Sequence, residues 1–557
     1  MKRDVEALTA TTFDLAVIGG GVQGAATARD AALRGLQVAV VEARDFAGGT
    51  SSRSSKLVHG GLRYLEQLDF ALVREARRER RLLHKIAPHL ARSVPFMLPL
   101  FRGDPYSPLK IRLGLAIYDL LGNLGPNDRH RMLDRESAIH LVPGLRANNL
   151  RTAAVYHDSQ TDDARLTLEY LIDAAEHGAV VLNYAQVRAL AASPQAGGRS
   201  VVSAEVEDGL TGRRVELAAR LWVNAAGPWV DQVRALLPGF DGSKTVRLTK
   251  GTHLLIPPVT GRYALLASIP ASRRVFLIVP WHKCSLLGTT DTDFEGDPAG
   301  VRPDGADTKY LLAAANRVLR RELAPEDVVG SWAGVRALAV QPGKAATPSA
   351  NTREYRFHED AWAANFVSIC GGKLTTARAL GEKLTNLAVS RLGRPQTASS
   401  VASNGQSHTP VRGSDGRSVP LPGGHTGPFD VYLNVAAWDA VREYDVPFEA
   451  GERIVQTYGS RWRKVLEPVR ERRSLAEPLP GSPAILAAEV EFAIAHEMAV
   501  NVEDFVLRRS GLNWTAVTVS GLVPAVAKIF AERLGWSPER RQAAVEACTR
   551  AACLAAT

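Results

Sequence analysis

Cysteine is scarce: Cys284, Cys370, Cys548 and Cys553 are the only four in 557 residues, and no two form a C-x-x-C pair. Neither a disulfide framework nor a zinc site is expected, which fits a reducing, cytoplasmic setting. No apolar run approaches the roughly 18 residues that cross a bilayer. Residues 1–12 lack the apolar core of a secretory signal. The expectation is a protein that is soluble or attached to the inner face of a membrane. Also missing are an internal repeat, a basic recognition helix and aromatics interleaved on a basic face, so nucleic-acid binding is not expected. The net charge of +10 still permits an anionic partner such as a lipid surface. What is present is ordinary for a globular chain, 45% hydrophobic and 23% charged. Its length argues for two or three domains.

Residues 13–42 carry the strongest local signal. Residues 15–18 are apolar and short, as in a buried parallel strand, and Gly19, Gly21 and Gly24 follow as G-x-G-x-x-G. The first Gly permits a tight turn, the second lets backbone approach a pyrophosphate, and the third lets helix pack on strand. An Ala-rich helical run reaches Leu33, its N-terminus offering unpaired N–H groups to phosphate. A second apolar strand then ends in Glu42, about twenty residues past the glycines, where a carboxylate accepts both hydrogen bonds of an adenosine ribose. A dinucleotide site is expected; the bland alternative is a βαβ unit with a Gly-rich turn. Residues 43–66 then form a long loop dense in hydroxyls, Gly and basic groups, where a nicotinamide-type fold would continue to its next crossover helix. Loops of that length usually serve a ligand, and this one suits the pyrophosphate and flavin edge of an extended cofactor.

Further along, residues 68–87 read as an amphipathic helix that stops before Pro88. Leu72, Ala76, Leu82, Leu83 and Ile86 form its apolar side, with Arg74, Arg77, Arg78, Arg80 and Arg81 as a solvated face. Residues 109–121 have apolar residues at helical spacing with Lys110 and Arg112 at one end. That pattern suits a core-packing helix, with a membrane-interface helix as the alternative. A helix capped at 161–165 runs to about His177, followed by a strand at 179–182. A hairpin over 201–207 and 214–217 and a strand at 221–224 complete the dinucleotide domain. Short apolar pieces at 246–256, 263–268 and 274–289 predict an inserted antiparallel sheet. Residues 366–370 read as a strand entering the Gly371-Gly372 turn, whose backbone N–H groups point at a ligand, on this reading the flavin ring. Residues 394–428 have the composition of a linker, and 429–557 are helical in period.

Several stretches together resemble the FAD-dependent, respiratory glycerol-3-phosphate dehydrogenases. They are Ile18-Gly-Gly-Gly-Val-Gln-Gly24, Thr50-Ser-Ser-Arg-Ser-Ser-Lys-Leu-Val-His-Gly-Gly-Leu-Arg-Tyr-Leu65, Asp162-Asp-Ala-Arg-Leu166, Asn224-Ala-Ala-Gly-Pro-Trp229 and Lys250-Gly-Thr-His253. Gly288-Thr-Thr-Asp-Thr-Asp293, Gly334-Val-Arg336, Thr352-Arg-Glu-Tyr355, Gly371-Gly-Lys-Leu-Thr-Thr376 and Thr457-Tyr-Gly459 continue the match in order over most of the chain. The resemblance implies an α/β fold: a glutathione-reductase-like FAD domain of the amino-acid-oxidase type, an inserted antiparallel substrate domain and a helical cap. The expected division is 1–95, 151–230 and 335–393 for FAD, and 96–150 and 231–334 for substrate. A linker at 394–428 and a cap at 429–557 complete it.

It also implies oxidation of sn-glycerol 3-phosphate to dihydroxyacetone phosphate, with electrons passed to a membrane quinone. An oxygen-using oxidase of the same substrate is one alternative, and a flavoprotein acting on another hydroxy acid or amine is a second. The absence of a large oxidase-type insertion favours the quinone. Carried onto this sequence, the FAD contacts are Gly19, Gly21, Gly24, Glu42, Thr50, Ser51, Ser52, Lys56, Leu57, Gly372, Lys373, Leu374 and Thr375. Arg63, Tyr64, Arg336 and Arg353 bind substrate, Arg336 and Arg353 holding the phosphate, as paired guanidiniums suit a dianion. Lys373 polarises the reacting oxygen, and His59 or His253 is the general base, imidazole being poised near neutrality. No metal is called for. The family's usual Arg-Pro-Leu departs here to Arg336-Ala337-Leu338, which frees some backbone but keeps the guanidinium. A homodimer is one option the resemblance leaves open.

Overall fold

The computed structural model describes the chain except residues 68, 123–128, 196–197, 271–273, 341–354, 394–412, 414–415, 512–515 and 554–557. Two large sheets position the site. In the first, β1 (Phe13–Ile18) pairs in parallel with β2 (Val38–Val41) on one side and with Arg214–Asn224 on the other. Val180–Leu182 and Phe366–Cys370 extend the parallel core, and Arg356–Glu359 closes one edge antiparallel. Every residue of β1 and β2 is buried, which is why 15–18 and 38–41 read as unbroken apolar runs. Helix α1 (Val22–Leu33) lies on this sheet between the helices Asp163–Glu176 and Ala377–Arg391. Its alanines 25, 28, 31 and 32 are buried there, and their small size permits the close approach. A Cβ on Gly381 would come within 2.7 Å of the Ala26 backbone.

Two pieces of this sheet differ from expectation. The strand Ala185–Gln195, absent from the sequence reading, pairs with Gly198–Asp208. The expected strands at 214–217 and 221–224 are one continuous strand, Arg214–Asn224. It leaves the hairpin and enters the parallel core without a break.

The second sheet has ten strands, centred on Val246–Ile256, which pairs antiparallel with both Cys284–Gly288 and Gly330–Ala339. It is antiparallel except where Ala264–Ile269 runs parallel to Arg92–Phe101. Strand membership falls differently from the expected boundaries. Arg92–Phe101, Leu150–Gln160 and Gly330–Ala339 each belong wholly to this sheet, so the chain crosses between sheets outside these strands, whereas the expected boundaries fall within them.

Helix α2 (Phe70–Ile86), capped by Asp69, corrects the reading of its arginines. Arg74 and Arg78 are exposed, but Arg77 is buried with its guanidinium 4.0 Å from the Tyr118 ring centroid. Arg80 donates to Ser159 Oγ and to the His157 carbonyl. Tyr118 belongs to helix α3 (Pro108–Gly122), which buries Leu115 and Tyr118 while Leu109, Leu113 and Leu120 stand 76%, 62% and 79% exposed.

Helices from Phe429–Tyr444 to Pro538–Cys553 form the C-terminal region. Buried ion pairs bind it to a helix of the first sheet and to the loop after β2: Arg165 and Arg461 both reach Glu169 and Glu497, and Arg508 and Arg509 both reach Asp45. The described end of the expected linker is pinned to the body. Arg29 donates to the carbonyls of Gly416 and Val419, and Leu421 is fully buried.

His89 sits at this junction, its ring facing Gly423 and Gly459, where a Cβ on either would lie within 2.9 Å. It is wholly buried, and neither ring nitrogen has a hydrogen-bond partner among the described residues. Burial, then the charges of Arg165, Arg92 and Arg461, hold its pKa well below the usual 6.5. The native state therefore refuses a proton that the unfolded chain accepts, and this site loses stability as pH falls below about 6.5. His89→Met should flatten the slope of unfolding free energy against pH by about 1.4 kcal/mol per unit between roughly pH 6 and 5. Denaturant titrations of both proteins across that range measure it; parallel slopes would show that His89 is not the group involved.

Candidate active site

One cavity of about 850 Å³ runs along the interface of the two sheets. Its first end is the turn between β1 and α1. Gly19 has φ +117°, and a Cβ there would meet the Ala225 carbonyl oxygen at 2.6 Å, so only Gly serves without strain. Gly24 does not line the cavity; its Cβ would lie 2.0 Å from the Gly19 carbonyl oxygen. Its role is packing. Gly21 is different, since a Cβ there would face only Ser51 Oγ, at 3.2 Å. That open face, with the α1 N-terminus behind it, is a cradle for an anion. Ser51 Oγ accepts from the Val22 N–H at 2.9 Å and so ties the following loop to the cradle.

Glu42 lies at the end of β2 and accepts from the N–H groups of Gly20 at 2.7 Å and Arg44 at 2.9 Å. Each carboxylate oxygen takes one bond and keeps further acceptor capacity for a ribose. Burial raises its pKa. Arg44 and Trp229 line the same end, with Gln186 and Val187 of the unexpected strand.

Of the hydroxyl loop, Thr50, Ser51, Ser54, Ser55, Leu57 and His59 line the cavity. Thr50 Oγ1 donates to the Val335 carbonyl at 2.6 Å, fastening the loop to the second sheet. Ser52 and Lys56 do not line it. The Lys56 ammonium turns away into a buried ion pair with Asp163 and donates to the Ser52 carbonyl at 2.8 Å. Lys56 shapes the loop rather than facing the cavity.

At the other end, Gly371, Gly372, Lys373, Leu374 and Thr375 form the wall where Phe366–Cys370 turns into a helix. Gly371 and Gly372 both have positive φ. Gln23 Nε2 donates to the Gly371 carbonyl at 2.8 Å, and a Cβ on Gly372 would lie 1.8 Å from that nitrogen. Opposite stand His253 and Arg336 on neighbouring strands of the second sheet. Arg336 donates to the Thr290 carbonyl, to Asp291 Oδ1 and to Thr289 Oγ1, and its guanidinium occupies the space a Cβ on Gly251 would take.

His253 stacks on Trp332, the ring centroids 5.5 Å apart, and its Nε2 lies 2.8 Å from Ser55 Oγ. Its Nδ1 is buried with no partner among the described residues. Burial first, then the Arg336 and Lys56 charges, lower its pKa to about 3. The imidazole is therefore a neutral base at physiological pH. The structure thus brings His59, His253, Arg336 and Lys373 to one cavity. Arg353 and the side chains of Arg63 and Tyr64 lie outside the described residues.

Comparison with known proteins gives this arrangement a family. The glycerol-3-phosphate dehydrogenase of Mycobacterium leprae is 36% identical over 535 residues, 95% of this chain and 86% of the relative. The aerobic glycerol-3-phosphate dehydrogenase of Staphylococcus haemolyticus is 32% identical over 506 residues, 90% of this chain and 86% of that one. A model of FAD dependent oxidoreductases matches residues 14–387, and one of the C-terminal domain of alpha-glycerophosphate oxidase matches 414–541. The chain belongs to the FAD-dependent glycerol-3-phosphate dehydrogenases. The crystal structure of the glycerol-3-phosphate dehydrogenase from Bacillus halodurans, complexed with FAD, superposes with a TM-score of 0.77 at 28% identity. It covers 99% of this chain and 97% of that one. FAD is the cofactor, and the cavity fits it: an open glycine cradle, a carboxylate with acceptor capacity to spare and a second glycine turn lie along a single space.

Sequence reasoning missed Gln23, Arg44, Ser55 and Trp229. Ser55 and Trp229 stand inside matched motifs, but their partners are distant in sequence. Gln23 gives no local sign that it reaches Gly371.

Proposed function

We propose that this protein oxidises sn-glycerol 3-phosphate to dihydroxyacetone phosphate and passes the electrons to a membrane quinone. The observation that carries the reading is the position of Arg336. Its guanidinium is held by Thr289, Thr290 and Asp291 at the same end of an FAD-sized cavity as His253 and Lys373. FAD, held by the 19–21 turn, Glu42, Ser51 and the 371–375 turn, supplies the hydride acceptor. Arg336 and Arg353 hold the phosphate, with Arg63 and Tyr64 as further substrate-binding residues, and so fix the alcohol relative to the base. Lys373 polarises the reacting oxygen. His253 takes the hydroxyl proton at Nε2, the nitrogen that already meets Ser55. A dianion against Arg336 offsets the cation that helps depress His253, which raises its basicity when substrate binds. His59 lines the opposite wall and is the alternative base.

Two features support a lipophilic acceptor. Leu62, Phe96, Leu266, Val275 and Leu277 line an apolar stretch of the cavity. Helix α3 carries the exposed Leu109, Leu113 and Leu120 beside Lys110 and Arg112, a face suited to an anionic lipid interface. No helix among the described residues is long and apolar enough to cross a membrane. Leu115 lies in the core, so substituting it tests folding rather than docking. Changing Leu109, Leu113 and Leu120 together to Ser should weaken sedimentation with phosphatidylglycerol vesicles by about a hundredfold, at roughly 1 kcal/mol per partly inserted side chain. Undiminished sedimentation would remove α3 from the docking surface.

Anaerobic mixing of the yellow protein with glycerol 3-phosphate tests substrate and cofactor together, and bleaching of the flavin band is expected. Reoxidation by a short-chain quinone without peroxide favours the dehydrogenase. Rapid reoxidation by air with stoichiometric peroxide would favour the oxidase.

A further inference from the structure

The cofactor end of the cavity is bridged by three side chains from three separate segments. Arg44 follows β2, Trp229 follows the strand Arg214–Asn224, and Asp297 belongs to the loop after the second sheet's Thr292–Asp293 strand. All three line the cavity. The Arg44 guanidinium lies 4.6 Å from the centroid of the Trp229 ring, and Trp229 Nε1 donates to Asp297 Oδ1 at 3.2 Å. Each member is itself oriented. The Arg44 N–H is held by Glu42, Asp297 also accepts from the Ala299 N–H at 3.0 Å, and the Trp229 ring packs on Gly49. A Cβ on Gly49 would stand 3.0 Å from that ring, so any larger residue there would push the ring back by a few tenths of an ångström.

Several cations stand close to the bridge. Arg53 is partly buried near Arg302, Arg508 and Arg44, and desolvation first, then those three charges, lower its pKa to about 10. Arg44 and Arg53 both line this end beside the glycine cradle, while the Glu42 and Asp297 carboxylates there are already engaged by N–H donors. The two cations favour an anion at this end and oppose its departure. Within the bridge, a guanidinium over an indole ring and an indole N–H on a carboxylate are both modest interactions that open and close readily.

We propose that Arg44, Trp229 and Asp297 form a latch across the adenosine–pyrophosphate end of the cavity, and that its opening sets the rate at which FAD enters and leaves. The bridge links the dinucleotide sheet to the loop of the second sheet through side chains, so it parts without breaking a strand pair. Glu42 couples it to the cofactor directly, since the same carboxylate that faces the ribose orients the Arg44 backbone. The inference needs FAD alone and is independent of the substrate and acceptor assigned above.

The test is the rate of FAD release from the holoenzyme after dilution, read as the recovery of free-flavin fluorescence. Trp229→Phe keeps the ring and removes the N–H, Asp297→Ala removes its acceptor, and Arg44→Gln removes the stacked cation on an exposed position. Each should speed release by about tenfold, the scale of one such interaction. Trp229→Phe combined with Asp297→Ala should release no faster than either alone, because both cut one link. Release at the wild-type rate in Arg44→Gln and in either other variant, with native thermal stability, overturns the latch. So does a double variant whose two effects multiply. The Arg44 side chain is exposed, so Arg44→Gln reads out even where a Trp229 variant fails to fold.

Discussion

Replacing Arg336 by Gln should raise the Michaelis constant for glycerol 3-phosphate by about a hundredfold or more while the purified protein stays yellow. The basis is the removal of one partner from a charge-assisted contact with a dianion, worth about 2–5 kcal/mol where the pair is shielded from water. Arg336 is half-buried and already oriented by Thr289, Thr290 and Asp291, so little ordering cost falls on binding. Arg336→Lys should fall between the two, because an ammonium keeps the charge and loses the two-pronged geometry. A second readout separates this role from simple damage. Arg336 is the foremost cation depressing His253, so its loss should move the acid limb of the kcat profile to higher pH. A Michaelis constant that does not change would sink the clamp.

Replacing His253 by Gln should lower kcat by about 10²–10⁴, the usual contribution of a positioned general base, and should abolish that acid limb. The sign follows from the direction of the shift. A base must be unprotonated to act, and burial and neighbouring cations keep His253 neutral down to about pH 3 in the substrate-free protein. Activity limited by this group should therefore fall only on acidification, and with the phosphate against Arg336 as proposed the limb should lie above 3 in the substrate complex. His59→Asn is the control. If its profile loses the limb and that of His253→Gln keeps it, the base is His59. Flavin content and melting temperature measured on both variants separate loss of chemistry from loss of fold.

The parts of this molecule that a sequence reveals are those whose cause is local. The 19–24 glycines sit on a strand–turn–helix whose every element shows in its own periodicity, and each glycine does a separable job in the structure. The 371–375 turn is legible for the same reason. Lys56 shows the opposite case. Its motif places it among cofactor contacts, yet Asp163, more than a hundred residues away, draws the ammonium into the core. Arg77 reads as one of a row of solvated charges, but the Tyr118 ring and the bare backbone of Gly122 make a slot for it that α2 alone does not announce. Leu113 and Leu115 are indistinguishable as letters. One faces out and the other in because α3 is packed on only one side. The strand Ala185–Gln195 escaped notice because alanines and a proline obscure its alternation; its partner Gly198–Asp208 makes it a strand.

The bond from Gln23 to the Gly371 carbonyl spans 348 residues. During synthesis the first turn leaves the ribosome long before the second exists, so a nascent chain has only half a berth for the flavin. Colour should therefore arrive late in translation, after the 371–375 segment has emerged. A polypeptide that stops short of that point should be bleached from birth, however well its opening βαβ unit has folded.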